Sequence, residues 1–195
     1  MLELDTPHGP ARAHLRDASA PRGWLVLGHG AGGGVESPDL KGAAQAGLDT
    51  GLSVALVEQP YRVAGRRSPA PAAQLDTAWV AVLEQLPLNA LPLVAGGRSS
   101  GARVACRTAA DTGAAAVLCL AFPLHPPGRP EKTRLEELDA VAVPTLVVQG
   151  ASDPFGLPPA APNRTVVTIP GSHSLRNPIN VADAVAEWLA ATVIA

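Results

Sequence analysis

The chain has 195 residues, of which 47% are hydrophobic and 16% charged, and its formal net charge is −2. This composition supports a packed core, so it excludes an intrinsically disordered chain and predicts a single domain over residues 1–195. The lack of a basic excess argues against nucleic-acid binding, because contacts with phosphates require clustered positive side chains.

The predicted elements begin with an antiparallel hairpin, formed by residues 2–5 and 11–16 on either side of a turn. After the hairpin, apolar runs predict strands, and apolar residues at helical spacing predict helices. In chain order these are a strand at 24–27, a helix at 39–50, a strand at 52–57, a polar loop at 58–68, a helix at 71–86, a strand at 91–95, a helix at 100–110, a strand at 116–121, a short helix at 134–138, strands at 144–149 and 165–169, and a last helix from about 177.

The alternation of strands and helices after residue 24 predicts the fold class. The strands are apolar throughout, so helices should cover both faces of the sheet. We therefore predict an α/β protein with a mostly parallel, doubly wound sheet and an antiparallel hairpin at its N-terminus. Ligands bind beyond the carboxyl ends of the strands in such sheets, so functional residues are expected in the loops that follow the strands.

Residues 97–101 read Gly-Arg-Ser-Ser-Gly and match the pattern G-x-S-x-G between a predicted strand and a predicted helix. This context is typical of a nucleophile elbow, a tight turn that exposes a serine hydroxyl at the end of a sheet. Ser99 is the predicted nucleophile. Ser100 suits the turn less well, because Arg98 would then occupy a crowded position that favours glycine. The alternative is a glycine-rich turn with a capping serine.

A serine hydroxyl is scarcely ionised at neutral pH and needs an adjacent base. Asp153 follows the predicted strand at 144–149, and His173 follows the predicted strand at 165–169. The order Ser, Asp, His is one in which catalytic triads occur along the chain. We predict that His173 takes the proton of Ser99 and that Asp153 orients and stabilises the imidazole.

A glycine-rich segment, residues 28–34, directly follows the strand at 24–27. Acyl transfer places negative charge on the carbonyl oxygen in the transition state, and backbone N–H groups can stabilise that charge. The predicted donors are the N–H of Ala31 in this segment and the N–H of Ser100 at the start of a helix.

A dinucleotide-binding loop is an alternative interpretation of the same segment. Gly28, Gly30 and Gly33 have the spacing G-x-G-x-x-G, and Glu58 lies at about the expected distance for a ribose contact. No clear helix begins at Gly33, however, which argues against this alternative. The sequence also lacks a zinc-binding signature, so we expect neither a metal nor a cofactor.

Six segments in order resemble a branch of the α/β hydrolases: HGAGGG (29–34), PYRVAGRRSP (60–69), GGRSSGAR (96–103), PLHPPGRPEK (123–132), QGASDPFG (149–156) and GSHS (171–174). This branch is similar to the dienelactone-hydrolase-like proteins. It includes a testis-expressed protein and the hydrolase-like domain of a subunit of a nuclear histone-acetyltransferase complex. The resemblance implies an α/β-hydrolase fold with a triad of Ser99, Asp153 and His173. Arg98 is unusual next to the nucleophile of ordinary esterases but looks typical of this branch.

The resemblance draws attention to the loops after residues 57 and 121, which should face the nucleophile. We expect His29, Gly30, Arg67 and His125 to contact a small-molecule substrate. Arg66, Arg67 or Arg129 would bind a carboxylate or phosphate on it. The alternative is that these arginines are solvated.

Only about twenty residues separate the strands at 116–121 and 144–149, too few for a lid domain. An open site predicts the hydrolysis of a small ester, thioester or lactone. Cleavage of an amide on the same triad and a non-catalytic protein-interaction module remain alternatives.

The N-terminal residues lack a basic segment followed by an apolar one, and no apolar run approaches the ~18 residues of a membrane span. We therefore expect a cytoplasmic protein that does not bind membranes and acts as a monomer or homodimer. Cys106 and Cys119 lie in apolar segments and are predicted to be buried and reduced.

Overall fold

The computed structural model describes residues 1–192, which form eight strands and six helices. The strands are β1 (Leu2–Leu4), β2 (Ala11–Arg16), β3 (Gly23–Gly28), β4 (Leu52–Glu58), β5 (Leu93–Arg98), β6 (Ala116–Leu120), β7 (Thr145–Gly150) and β8 (Arg164–Ile169). The helices are α1 (Pro38–Asp49), α2 (Pro60–Val63), α3 (Ala72–Gln85), α4 (Ser100–Arg107), α5 (Leu135–Asp139) and α6 (Pro178–Thr192).

All eight strands form one sheet, in the order β1-β2-β4-β3-β5-β6-β7-β8. The pairs β1–β2 and β2–β4 are antiparallel, and every other pair is parallel. In the middle of the sheet, Leu25 of β3 lies between Val54 of β4 and Val94 of β5. The predicted fold class is therefore confirmed, including the antiparallel hairpin at the N-terminus.

The core lies in two layers, one on each face of the sheet. Trp24 and Val26 of β3 belong to the apolar cluster that includes Trp79 of α3 and residues of α4. Leu25 and Leu27 belong to the cluster on the other face, with residues of α1 and α6. The alternation of side chains along a strand thus divides β3 between two helical layers. Because strands β3 to β8 run parallel, the loops that follow them lie at one edge of the sheet.

The structure differs from the predicted elements at three places. β5 continues to Arg98, because Gly96 and Gly97 allow the strand to pass very close to its neighbours. The predicted loop at 58–68 contains α2, whose four residues are too few for a periodic pattern. β8 is an edge strand in which Thr165 and Thr168 are exposed, so helices do not cover both of its faces as predicted.

Cys106 and Cys119 are free and buried, as predicted, and their sulfur atoms lie 3.5 Å apart. No helix within residues 1–192 is long and apolar enough to cross a membrane. Between β6 and β7, the only helix in the described chain is α5, so the structure carries no lid there.

Candidate active site

Ser99 occupies a tight turn between β5 and α4. Its backbone dihedral angles are φ 51° and ψ −106°, a conformation that L-residues rarely adopt and that costs about 1–3 kcal/mol. Its N–H donates to the carbonyl of Leu120 at 2.9 Å. A Cβ atom on either Gly97 or Gly101 would lie 2.5 Å from the carbonyl oxygen of Gly28. The two glycines of the G-x-S-x-G pattern are therefore required by the close approach of this turn to the end of β3.

The three side chains predicted to converge form a continuous series of hydrogen bonds. Nε2 of His173 lies 2.9 Å from Oγ of Ser99, and Nδ1 lies 2.8 Å from Oδ2 of Asp153. Because a carboxylate can only accept, we assign the proton to Nδ1 of the neutral ring, which leaves Nε2 free to accept from the hydroxyl. The imidazole is 17% exposed and the Asp153 carboxylate is fully buried. This geometry can move a proton from Ser99 to His173.

The Asp153 carboxylate has two further donors that hold it in place. Nε2 of Gln149 donates to Oδ2 at 2.8 Å, and the N–H of Phe155 donates to Oδ1 at 2.9 Å. Gln149 is fully buried at the end of β7, where its amide also donates to two backbone carbonyls. Our sequence analysis did not identify Gln149. The signal available was a polar amide at the end of a strand whose preceding residues, 146–148, are apolar.

Phe155 has a second contact with the site. Its ring packs on the imidazole of His173, with the ring centroids 4.2 Å apart and the planes inclined by 33°. The aromatic ring shields one face of the imidazole from water. Phe155 lies in the segment 149–156 that carries the family resemblance, but its role was not predicted.

The glycine-rich segment forms a turn after β3, in which the N–H of Gly33 donates to the carbonyl of Gly30 at 3.2 Å. The hydroxyl of Tyr61 donates to the carbonyl of Ala31 at 2.7 Å and so holds the peptide between Ala31 and Gly32. Burial raises the pKa of Tyr61 to about 12, so the hydroxyl remains a donor. Neither Ala31 N–H nor Ser100 N–H is used in a turn or loop hydrogen bond of the described residues. Both remain the predicted oxyanion donors.

His29 requires a correction. The prediction was that it contacts substrate, but the side chain is buried and both of its ring nitrogens are occupied. Nδ1–H donates to the carbonyl of Gly30 at 2.9 Å, and Nε2 accepts from the N–H of Gln59 at 3.1 Å. Burial lowers the pKa of His29 and thereby favours the neutral form that this arrangement requires. His29 therefore holds the glycine-rich turn and has no free nitrogen for a substrate.

The other predicted substrate contacts have different surroundings in the structure. A Cβ atom on Gly30 would lie 3.7 Å from Cβ of Ser99, so Gly30 adjoins the site. His125 is half-buried, and its backbone N–H donates to the carbonyl of Phe155. Its ring packs against Gly156, in the loop that carries Asp153. Arg67 is exposed, and none of the described residues forms an ion pair or hydrogen bond with its guanidinium. Gly30 therefore adjoins Ser99, and His125 adjoins the loop of Asp153. The guanidinium groups of Arg66, Arg67 and Arg129 form no hydrogen bond or ion pair with a described residue, and their contact with a substrate stays a prediction.

A cavity of about 440 Å³ adjoins the site. Its walls include Gly30 of the glycine-rich turn and two residues adjacent in sequence to the triad, Arg98 and Ser174. The cavity extends to the start of α1. The described residues contain no group of three histidines, cysteines or acidic residues arranged to hold a metal ion. The site thus contains a nucleophile, Ser99, a base, His173, and two nearby backbone N–H groups, those of Ala31 and Ser100.

Comparison with known proteins identifies the family of this chain. Residues 21–175 match the family model described as an alpha/beta hydrolase domain. No match was found among curated protein sequences.

Solved structures with the same fold come from several bacteria. Est1E from Butyrivibrio proteoclasticus, solved with ferulic acid, is 16% identical, with a TM-score of 0.80 and full coverage of both chains. A serine hydrolase without a lid from Xanthomonas campestris is 21% identical, with a TM-score of 0.76 over 97% of this chain and 93% of that one. A dienelactone hydrolase from Anabaena variabilis is 19% identical, with a TM-score of 0.74 over 98% and 96% of the two chains. At these identities, the likeness shows a common fold.

Proposed function

Since this chain belongs to the alpha/beta hydrolase domain family, we propose that it is a serine hydrolase that cleaves a small ester, thioester or lactone through an acyl-enzyme intermediate. The observation that carries the proposal is the hydrogen-bonded series from Ser99 through His173 to Asp153, with distances of 2.9 and 2.8 Å. Distances of this size allow direct proton transfer between the hydroxyl and the ring.

In the first half of the reaction, Oγ of Ser99 attacks the substrate carbonyl while Nε2 of His173 takes the hydroxyl proton. Asp153 stabilises the imidazolium that results. The N–H groups of Ala31 and Ser100 donate to the oxyanion of the tetrahedral intermediate. His173 then gives its proton to the leaving oxygen or sulfur, and the acyl group stays on Ser99.

In the second half, water replaces the leaving group. His173 takes a proton from the water as it attacks the acyl-enzyme, and returns that proton to Oγ of Ser99 when the acid departs. Ground-state geometry favours this cycle, because the strained turn at Ser99 keeps the hydroxyl next to the base without a conformational change.

An open site favours small or protruding substrates. The described chain carries no lid between β6 and β7, and aromatic residues make up only 3% of the sequence, which disfavours a large aromatic pocket. Among the structural neighbours, Est1E was solved with ferulic acid and another is a dienelactone hydrolase. We therefore propose small carboxylic esters, thioesters and lactones as the substrates to test.

A fluorophosphonate probe tests the proposal, because it reacts with activated serines. We expect the wild-type protein to be labelled, Ser99→Ala to lose all labelling, and Ser100→Ala to keep it as the matched serine control. Labelling that survives in Ser99→Ala would mean that another residue is the nucleophile. A folded wild-type protein that is not labelled would instead favour a non-catalytic interaction module. A panel of short acyl esters and thioesters would then identify the substrate class.

A further inference from the structure

We propose that Arg98 and Asp39 form a positioning pair that holds the His173 loop against the nucleophile. This inference rests on the serine-hydrolase function proposed above and names residues that the mechanism there does not use. Arg98 directly precedes Ser99 at the end of β5, whereas Asp39 lies in the first turn of α1. The pair therefore links two elements on either side of the site.

The guanidinium of Arg98 makes contacts in three directions. Nε donates to Oδ2 of Asp39 at 2.7 Å, and Nη2 donates to the backbone carbonyl of His173 at 3.1 Å. The guanidinium also packs against the glycine-rich turn, because a Cβ atom added to Gly30 would lie only 2.7 Å from Nη1 of Arg98. One side chain thus contacts the loop of the base and the loop of the predicted oxyanion donor.

Burial explains why this arginine is held firmly. The Asp39 carboxylate is fully buried and the Arg98 side chain is only 18% exposed. A carboxylate without water requires a positive partner and further donors. The N–H of Leu40 donates to Oδ1 of Asp39 at 2.9 Å, and the start of α1 adds a favourable helix dipole. Asp39 therefore fixes the orientation of the Arg98 guanidinium. The guanidinium in turn holds the backbone of His173 through its hydrogen bond to the His173 carbonyl.

Hydrogen bonds to backbone carbonyls hold the His173 loop on two sides, and Arg98 makes one of them. On the side towards β7, the N–H and hydroxyl of Ser152 both donate to the carbonyl of Gly171 at 2.9 Å. On the other side, Arg98 donates to the carbonyl of His173 itself. Loss of this hydrogen bond from Arg98 would let the backbone of His173 shift, and the distance of 2.9 Å between Nε2 and the Ser99 hydroxyl would lengthen. Displacement of a reacting group by about 1 Å can cost about 100-fold in rate.

The variants Arg98→Ala and Arg107→Ala form a matched pair for the test. The Arg107 side chain is about as exposed as that of Arg98, at 20% against 18%, and it pairs with Asp76 of α3 and Glu137 of α5, away from the His173 loop. Arg107→Ala removes two ion pairs with partly exposed carboxylates, whereas Arg98→Ala removes one and leaves the buried Asp39 carboxylate unpaired, so both should lower Tm. Only Arg98→Ala should lower kcat for a short acyl ester, by about 100-fold with little change in KM, because the geometry of the base is lost while the substrate surface remains.

The cavity beside Arg98 permits chemical rescue. Removal of the side chain leaves a space open to the cavity of about 440 Å³, which free guanidinium ion can enter. We expect guanidinium, at concentrations well below those that unfold proteins, to restore part of kcat in Arg98→Ala but not in Ser99→Ala. Arg98→Lys should keep the stability better than the rate, because an ammonium group lacks the planar fork that reaches two acceptors.

A spectroscopic measurement separates this inference from the proposed function. The Nδ1 proton of His173 can be followed by NMR whether or not the protein turns over a substrate. We expect its resonance to move or broaden in Arg98→Ala and Asp39→Asn and to stay unchanged in Arg107→Ala. Wild type without fluorophosphonate labelling would refute the hydrolase proposal alone. An Arg98→Ala protein with the wild-type His173 resonance would overturn the positioning role.

Discussion

At the scale of single residues, the triad carboxylate is the most constrained group of the site. Asp153 is fully buried and accepts hydrogen bonds from His173, Gln149 and Phe155. Three donors on one carboxylate fix its orientation. The aspartate is therefore placed to hold the imidazole in the tautomer that leaves Nε2 free for the Ser99 hydroxyl.

Asp153→Asn should lower kcat by about 10⁴-fold, because the amide can donate to Nδ1 and so favours the wrong tautomer. The kinetics of a short acyl ester at neutral pH measure this effect. Asp139→Asn is the control, since Asp139 is an exposed carboxylate in an ion pair with Arg164. Equal activity of the two variants would contradict the assigned role of Asp153.

Tyr61 acts on the site through a backbone carbonyl. Tyr61→Phe removes the 2.7 Å hydrogen bond to the carbonyl of Ala31 and should cost about 1 kcal/mol of stability. If Ala31 N–H is an oxyanion donor, kcat should also fall, by less than the roughly 100-fold loss that follows complete removal of a donor. Urea unfolding and steady-state kinetics measure the two effects. A stability loss with unchanged kcat would show that this hydrogen bond does not position the Ala31 N–H.

At the scale of elements, the turn between β5 and α4 packs so closely against the end of β3 that it requires glycine. Gly97→Ala would place a Cβ atom 2.5 Å from the carbonyl oxygen of Gly28 and 2.8 Å from the backbone of Gly101. Backbone atoms cannot move away as a flexible side chain can, so we expect a loss of about 1–3 kcal/mol or more. Gly34→Ala is the matched control, because nothing lies within 4 Å of its Cβ position. Equal unfolding midpoints in urea for the two variants would show that the turn can relax.

This element also shows what the sequence could predict. The G-x-S-x-G pattern has a local cause, the crowding around Gly97 and Gly101, so a local pattern reveals it. The loops that carry Asp153 and His173 follow adjacent strands, so their convergence with Ser99 follows from the topology of a parallel sheet. These parts of the site could be anticipated before any coordinates were known.

Other parts of the site have no local signature. Arg98 and Asp39 lie 59 positions apart on different elements, and neither belongs to a periodic pattern that would pair them. The burial of His29 depends on Gln59 and Tyr61 closing over it, which a glycine-rich segment alone does not predict. Tertiary contacts of this kind decide whether a polar residue faces substrate or supports the backbone.

At the scale of the whole molecule, stability should depend on pH through a buried neutral histidine. His29 lies under the glycine-rich turn, where Nε2 accepts from the N–H of Gln59 and cannot keep that bond when protonated. Burial lowers its pKa below the ordinary value of 6.5. The unfolded chain therefore binds a proton at this residue at a higher pH than the folded protein does, so acid favours unfolding.

The sign of the effect follows from the two proton affinities. The stabilising contribution of neutral His29 is fully present above pH 6.5 and is lost progressively as the pH falls towards the folded-state pKa. A single group of this kind changes the free energy of unfolding by at most about 1.4 kcal/mol per pH unit. Urea unfolding of the wild-type protein at pH 7.5 and pH 5 should show a fall in stability. His29→Gln should be less stable at pH 7.5 but should lose less between the two pH values, because glutamine does not titrate. An equal loss of unfolding free energy in both proteins would mean that other groups cause the acid sensitivity. Protonation of His29 would then not destabilise the folded state.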